Sequence, residues 1–139
     1  MAEKKYLATT SGDAVVDRQL VNLPESPGNT VEYHGWAPEA CALIGIEVLS
    51  VTANTVGNLT LTVTNETTTN TVLSTANISL NATGSGGVLT SDTLYTATLT
   101  STGADLAFAA GGRWKLSLAS DNAGMDGAGI YVALTFGGA

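Results

Sequence analysis

Hydrophobic and polar residues alternate with a period of two along much of the chain beyond residue 40. In the segment 58–65, NLTLTVTN, the two leucines and the valine fall on one side and the threonines on the other. Successive side chains of a β-strand point to opposite faces of the sheet, so this alternation predicts a strand with one buried face. The segments LYTATLT (94–100) and WKLSLAS (114–120) repeat the pattern and predict further strands.

Seven or eight such segments follow one another, separated by glycine- and asparagine-rich turns and without a convincing helix. This organisation predicts an all-β fold, a jelly-roll-like β-sandwich of seven or eight antiparallel strands. Gly45 lies inside the apolar segment 41–51 and predicts a bulge or a close backbone approach there. The stretch 71–83 is long for one strand, and we expect it to bend near residues 75–76.

Residues 1–30 do not follow the alternating pattern. They carry charges of both signs and two prolines, and the apolar residues in 13–23 fit neither a clean helix nor a clean strand. We therefore predict an extended N-terminal arm over residues 1–30 that clamps onto a partner, and a β-sandwich domain over residues 31–139. The alternative is that part of this segment packs as the first strand of the domain itself.

Composition agrees with a single β domain that has an unusual surface. The 139 residues are 44% hydrophobic and only 12% charged, whereas about 25% of the residues of a typical soluble domain are charged. Twenty-one residues are threonine, which is β-branched and makes a surface polar without adding charge. A neutral hydroxyl surface loses its hydration more cheaply than a charged one, so it suits contact with copies of itself or with another protein.

The net charge of −7 argues against direct contact with nucleic acid, which requires a cationic surface. The N-terminal segment is polar and lacks the apolar stretch of a secretory signal. No segment approaches the roughly 20 apolar residues of a membrane-spanning helix. We therefore expect a protein that folds in the cytoplasm, with neither a nucleic acid nor a membrane as its partner.

Residues that perform chemistry are scarce. His34 is the only histidine and Cys41 the only cysteine, too few for a zinc site, and we expect a surface or interface histidine and a buried thiol. Asp121, Asn122 and Asp126 offer oxygen ligands in a glycine-rich loop, but Met125 stands where a calcium loop would place a ligand, and a plain turn is favoured. We predict no catalytic residue, no cofactor and no metal, and hence a protein that is not an enzyme.

Two pieces of the chain carry a resemblance to a known family. They are APEAC (37–41), which enters the first long strand, and the corner ADLAFAAGG (104–112), which leads into another. With the order of the remaining strands over residues 31–137, they resemble the small β-sandwich head decoration, or cement, proteins of tailed bacteriophages. The resemblance implies a jelly roll that binds the capsid exterior as a homotrimer, bridges major capsid proteins and reinforces the shell of the virion.

Arginine and large apolar side chains dominate interface energies, so they are the expected anchors to the capsid or to neighbouring subunits. These anchors are Tyr6, Leu7, Arg18, Leu20, Leu23, Tyr33 and Trp36. The alternative function is a receptor- or carbohydrate-binding module of a phage tail or fibre, which would use the loops 84–92 and 120–129.

Overall fold

The structure is a computed structural model that describes residues 15–24, 30–121 and 123–138. Within these ranges the chain forms ten β-strands and one short α-helix. The strands are β1 (Val15–Leu23), β2 (Thr30–Trp36), β3 (Cys41–Thr52), β4 (Leu59–Asn65), β5 (Asn70–Thr71), β6 (Ile78–Ser79), β7 (Tyr95–Thr96), β8 (Ala107–Phe108), β9 (Arg113–Ser120) and β10 (Ala128–Gly138). The helix α1 (Gly103–Leu106) precedes β8, and a single 3-10 turn spans Thr83–Ser85.

The strands form two antiparallel sheets. The first has the order β1-β10-β3-β7, with β8 also pairing with β3, and the second has the order β2-β9-β4-β5, with β6 also pairing with β4. Because β7 and β8 share one edge position and β5 and β6 share another, the ten strands occupy eight positions. Successive strands β1 to β4 alternate between the two sheets. Within the first sheet β10 lies between β1 and β3, and within the second β9 lies between β2 and β4, which is a jelly-roll arrangement. The predicted all-β jelly-roll sandwich is confirmed.

The core lies between the sheets and consists of the inward side chains of each strand. Along β4 the burial alternates residue by residue, so that Leu59, Leu61 and Val63 are buried and the intervening threonines are half-buried. Phe108 and Phe136 meet edge to face with ring centroids 5.5 Å apart. Each fully buried leucine, valine or isoleucine contributes roughly 1.5–3 kcal/mol by leaving water, so the alternation itself fixes which face of each strand turns inward.

A bulge interrupts the long pairing of β3 with β10. Thr135 pairs with Gly45, but Phe136 pairs with Leu43, so Ile44 is the extra residue. A bulge or a close backbone approach at Gly45 was predicted from the sequence, and the structure shows a bulge immediately beside that glycine. The shift lets Leu43 and Ile46 both point into the core although they are three residues apart.

Residues 15–23 form β1, which pairs with β10 over its whole length. In this region the expectation of an arm is replaced by its alternative, a first strand packed within the domain. The pairing explains why the sequence pattern was unclear, because β1 contains a register shift between Val15 and Asp17 and has one free edge. The rest of the predicted arm that the structure describes is Pro24 and Thr30, and Thr30 begins β2; residues 1–14 and 25–29 lie outside the described residues.

The two sheets have different outer faces. The outer face of the second sheet carries hydroxyls: Thr62 pairs with Ser117, and Thr60 and Thr64 lie beside Thr62 on the same face. The structure only partly matches the neutral surface that the sequence predicted, because Lys115 pairs with Thr64 on this face and Glu32 pairs with Ser117. The outer face of the first sheet departs from it, because Leu49 pairs there with Tyr131, and Leu20 pairs with Ala133.

Candidate functional site

The free edges of β1 and β2 lie beside each other on one side of the sandwich. Among the described strands, β1 pairs only with β10 and β2 only with β9. Gln19 of β1 spans the gap between the sheets: its Nε2 donates to the Trp36 carbonyl at 2.8 Å, and its Oε1 accepts from Trp114 Nε1 at 2.8 Å. One amide side chain therefore braces an edge that would otherwise be held by chain connectivity and apolar packing alone.

A groove of about 560 Å³ runs along this edge. We call it the seam groove and define it by Gln19, Leu20, Val21, Tyr33, Trp36 and Trp114. Leu20 and Trp36 are the two most exposed large apolar side chains in the described part of the chain, at 68% and 65%. Exposed aromatic and aliphatic side chains beside a preformed groove are typical of the centre of a binding surface.

A second apolar surface adjoins the seam groove across β1. The outer side of the first sheet holds a shallow cavity of about 400 Å³. We call this surface the apolar face and define it by Leu20, Leu49, Leu94, Tyr131 and Ala133. Leu20 belongs to both surfaces, so together they form one continuous apolar region around the edge strand. Contiguous exposed apolar regions on soluble proteins mark interaction sites.

Arg18 and Glu47 border the apolar face. Arg18 Nε donates to Thr135 Oγ1 at 3.2 Å, which fixes the guanidinium over the sheet. Neither residue forms a salt bridge within the described residues. Within the described ranges, one cation and one carboxylate therefore stand at an apolar surface without a charge partner.

The structure brings together four of the seven predicted anchors. Leu20 on β1 faces Tyr33 and Trp36 on β2 across the seam groove, and Arg18 on β1 borders the apolar face that Leu20 joins to the groove. Leu23 does not belong to this surface: it is 4% exposed and packs in the core, because it points inward at the end of β1. Tyr6 and Leu7 lie outside the described residues.

Sequence reasoning missed Gln19, Leu49 and Tyr131. The sequence did contain a signal for two of them, because Leu49 and Tyr131 lie at outward-facing positions that alternate with buried residues. An apolar residue at such a position indicates a partner. Gln19 gave no signal, since its role depends on two strands that are distant in the sequence meeting at one edge.

Hydrogen bonds from Thr55 and Asn58 of a neighbouring loop hold the loop that was considered for a cation or a glycan. Asp126 accepts from the Thr55 backbone N–H at 2.6 Å and from the Thr55 hydroxyl, and Asp121 accepts from Asn58 Nδ2 at 3.0 Å. Hydrogen bonds from Thr55 lower the pKa of Asp126, and those from Asn58 and Ala123 lower the pKa of Asp121. Both carboxylates therefore join this loop to the segment that contains Thr55 and Asn58. Asn122 lies outside the described residues.

Two buried asparagines support the same loop from beneath. Asn54 Nδ2 donates to Asn81 Oδ1 at 2.8 Å, and Asn54 Oδ1 accepts from the Asp126 N–H at 3.0 Å. Asn81 also donates to the Gly57 carbonyl at 2.7 Å and accepts from the Leu59 N–H at 3.2 Å. Buried amides with this many partners are structural, and they leave no polar group exposed for a ligand.

The remaining reactive residues stand apart from one another. His34 Nε2 lies 3.4 Å from Glu32 Oε2 at the surface, and no group of three or more His, Cys, Asp or Glu side chains that could hold a metal gathers within the described ranges. Cys41 is buried, as predicted, and burial followed by the nearby Glu39 and Asp17 carboxylates raises the pKa of its thiol. A raised thiol pKa reduces the thiolate fraction and with it the reactivity.

The described residues contain no helix with the length and hydrophobicity needed to cross a lipid bilayer. Comparisons of the chain with protein-family models, with curated proteins and with solved structures found no match. The site must therefore be interpreted from its own geometry.

Proposed function

We propose that this chain is a non-enzymatic structural protein that attaches to the outside of a phage capsid and reinforces it by bridging major capsid proteins. The observation that carries the proposal is the placement of Leu20 and Trp36. The two most exposed large apolar side chains of the described chain stand on neighbouring free strand edges and flank one groove. A rigid sandwich with such an edge is suited to binding another protein.

Three further features support attachment to a protein shell. The resemblance of residues 31–137 to phage cement proteins points to this partner. The net charge of −7 disfavours binding to the genome and is compatible with a position on the outside of the shell. The hydroxyl-rich outer face of the second sheet can remain in water, or can approach a neighbouring subunit at little desolvation cost.

Many weak contacts suffice for this function. A standard protein interface buries about 1,600 Å² in total, and a shell presents the same site many times in a fixed geometry. A bridging protein that contacts two capsid subunits gains from both contacts at once. Reinforcement then follows from added interface area and requires no chemical step.

The proposal is tested by sedimenting the purified protein with capsids isolated from the same viral source and measuring the bound fraction at increasing protein concentration. Wild-type protein should saturate the shells at a fixed stoichiometry. Trp36→Ser should weaken binding roughly 30-fold, the effect of removing an aromatic interface anchor worth about 2 kcal/mol. Val56→Ser, a change from an apolar to a polar residue at another exposed position, outside the seam groove, should bind like the wild type.

Wild-type protein that does not sediment with the shells would overturn the capsid assignment. Shell binding that both Trp36→Ser and Leu20→Ser leave unchanged would instead remove the seam groove from the contact. Glycan binding in place of shell binding, lost in Asp121→Ala and Asp126→Ala variants, would support the tail or fibre module.

A further inference from the structure

We infer that the apolar face is a self-association surface, on which a second copy of this chain docks about a two-fold axis that passes beside Leu20. The inference extends the proposed function by naming the face through which copies meet. It stands on the chemistry of the face itself and is tested on the purified protein without a capsid.

The first argument is the asymmetry between the two sheets. A sheet face that remains in water carries polar side chains, as the threonines of β4 do on the second sheet. On the first sheet Leu49, Tyr131 and Leu20 occupy equivalent outward positions, and Leu94 extends the surface beyond β3. Leu94 is 56% exposed, so this face is not covered by the rest of the described chain.

The second argument concerns charge. Two copies that each carry a net charge of −7 repel, so they associate most readily through a surface whose own charges cancel. The apolar face carries one arginine, Arg18, and one carboxylate, Glu47, and hence no net charge. A surface that holds one charge of each sign is complementary to itself when it is rotated by 180°.

The third argument is the geometry of that rotation. In an isologous contact, residue i of one copy meets residue j of the other and the reverse contact forms as well. Turning the face over so that Arg18 opposes the second copy's Glu47 therefore creates two ion pairs. The two-fold axis must therefore lie in the plane of the contact, along the perpendicular bisector of the line that joins Arg18 and Glu47.

Leu20 lies close to that bisector. Leu20 is two residues from Arg18 along β1, a distance of about 7 Å. It pairs with Ala133, which pairs with Glu47, so Glu47 is two strands away, at about 10 Å. Leu20 is thus nearly equidistant from the two charges, and the Leu20 side chains of the two copies meet next to the axis. This placement accounts for an aliphatic side chain that is 68% exposed.

A two-fold contact differs from the trimer that the resemblance implies. A trimer requires two different patches that meet head to tail, whereas the apolar face supplies both charges of the pair within one patch. The observed distribution of charge therefore favours a pair of copies on this face.

The experiment is a charge exchange measured by sedimentation equilibrium and light scattering over a concentration series. Wild-type protein should approach twice the monomer mass at high concentration. Arg18→Glu and Glu47→Arg should each raise the dimer dissociation constant by well over tenfold, because a two-fold interface contains the altered contact twice. Arg113→Glu, the same change on an exposed residue of the second sheet, should leave the constant unchanged.

The decisive measurement mixes the two variants. Arg18→Glu protein presents two carboxylates and Glu47→Arg protein presents two guanidinium groups, so an equal mixture should form a dimer that neither variant forms alone. The double variant should also recover the dimer by itself. Circular dichroism of each variant checks the fold, and Glu47→Arg leaves the hydrogen bond from Arg18 to Thr135 untouched.

A wild-type protein that remains monomeric throughout the series would overturn the inference, as would a trimer mass. Dimers that survive both single exchanges, or a mixture that stays monomeric, would exclude this face as the contact. A monomeric protein would leave the capsid proposal standing, because Trp36 lies outside the apolar face and Leu20 is the one defining residue that the two surfaces share.

Discussion

The Trp114 indole donates a hydrogen bond to the Gln19 side chain at 2.8 Å and so joins the second sheet to the edge strand of the first. Trp114 is 3% exposed, and the Gln19 amide that accepts its hydrogen bond also donates one to the Trp36 carbonyl. The shape of the seam groove therefore depends on one glutamine, which holds the edge of β1 against β2 and β9.

Replacing Gln19 by alanine should destabilise the protein by about 1–3 kcal/mol, because the buried indole N–H loses its acceptor. Urea unfolding followed by tryptophan fluorescence measures the change. Asn22→Ala, an exposed position on the same strand, should stay within about 0.5 kcal/mol of the wild type. Equal midpoints for the two variants would show that the brace contributes nothing to stability.

Gly35→Ala should displace the Trp114 ring. A Cβ at Gly35 would lie 2.2 Å from Trp114 Cζ2, since the indole packs flat across the glycine of the paired strand. We expect a loss of about 1–3 kcal/mol from overpacking, with a shifted fluorescence maximum. Gly45→Ala is the matched control, because its Cβ would meet nothing closer than Thr135 Cβ at 3.9 Å. A Gly35→Ala variant as stable as Gly45→Ala would contradict the packing.

Asn81→Ala should destabilise the protein by at least about 2 kcal/mol. The change leaves the Asn54 amide, the Leu59 N–H and the Gly57 carbonyl without their partner, and each buried unpaired group costs about 1–3 kcal/mol. Thermal unfolding measures the effect. Asn77→Ala, an exposed asparagine four residues earlier, is expected to be nearly neutral, and a similar loss there would point to a general effect of removing asparagine.

Acid should weaken the hydrogen bonds from Thr55 to Asp126 and so loosen the loop that contains Asp126. The folded-state pKa of Asp126 lies below the ordinary aspartate value of 3.8, so its stabilisation is present above the unfolded pKa and is lost as the pH falls through the folded pKa. The amide resonance of Thr55, which donates to this carboxylate, should therefore shift at a midpoint below about pH 4.

Two variants sharpen the acid measurement. Asp126→Asn should remove the titration of the Thr55 amide, whereas Asp92→Asn, a change at another exposed aspartate, should preserve it. A midpoint at or above the ordinary aspartate pKa would exclude the hydrogen bonds as the cause of the shift.

The alternation of residues predicted the strands whose inner and outer faces differ. β4, β9 and β10 lie where the pattern placed them, because β4, most of β9 and the first part of β10 bury every second side chain against the core. Periodicity could not find β1, whose outward residues include Leu20 and whose ladder shifts at Asp17. There the contacts across the sheet decide the conformation, and local preference is weak.

The stretch 71–83 was only partly predicted. It contains the end of β5 and all of β6, separated by the buried Val72 and Leu73 and the exposed residues 74–77, whereas the sequence indicated a stretch too long for one strand that bends near residues 75–76. The edge of β4 accepts partners only at its two ends, so regular pairing cannot continue between them. The four-residue helix α1, in a segment expected to be a corner without helix, is likewise too short to produce a helical period.

The candidate site was predictable by residue type more than by position. Arg18, Leu20, Tyr33 and Trp36 were selected as large anchoring side chains. The fold gathers Leu20, Tyr33 and Trp36 around one groove because β1 and β2 form adjacent edges, and Arg18 lies on the outer side of β1. The apolar face could not be assembled from sequence alone, since it joins Leu20, Leu49, Leu94 and Tyr131 from four separate strands and loops.

The contrast between the two outer faces gives the molecule a built-in orientation. The side bearing Thr60, Thr62 and Thr64 has no reason to leave water, whereas the opposite side does. A reporter dye coupled through cysteine at Thr62 should thus stay accessible to an antibody or quencher however many copies gather on a target. Such a layer would present the β4 threonines to its surroundings, together with the Glu32, His34 and Lys115 side chains that share their face.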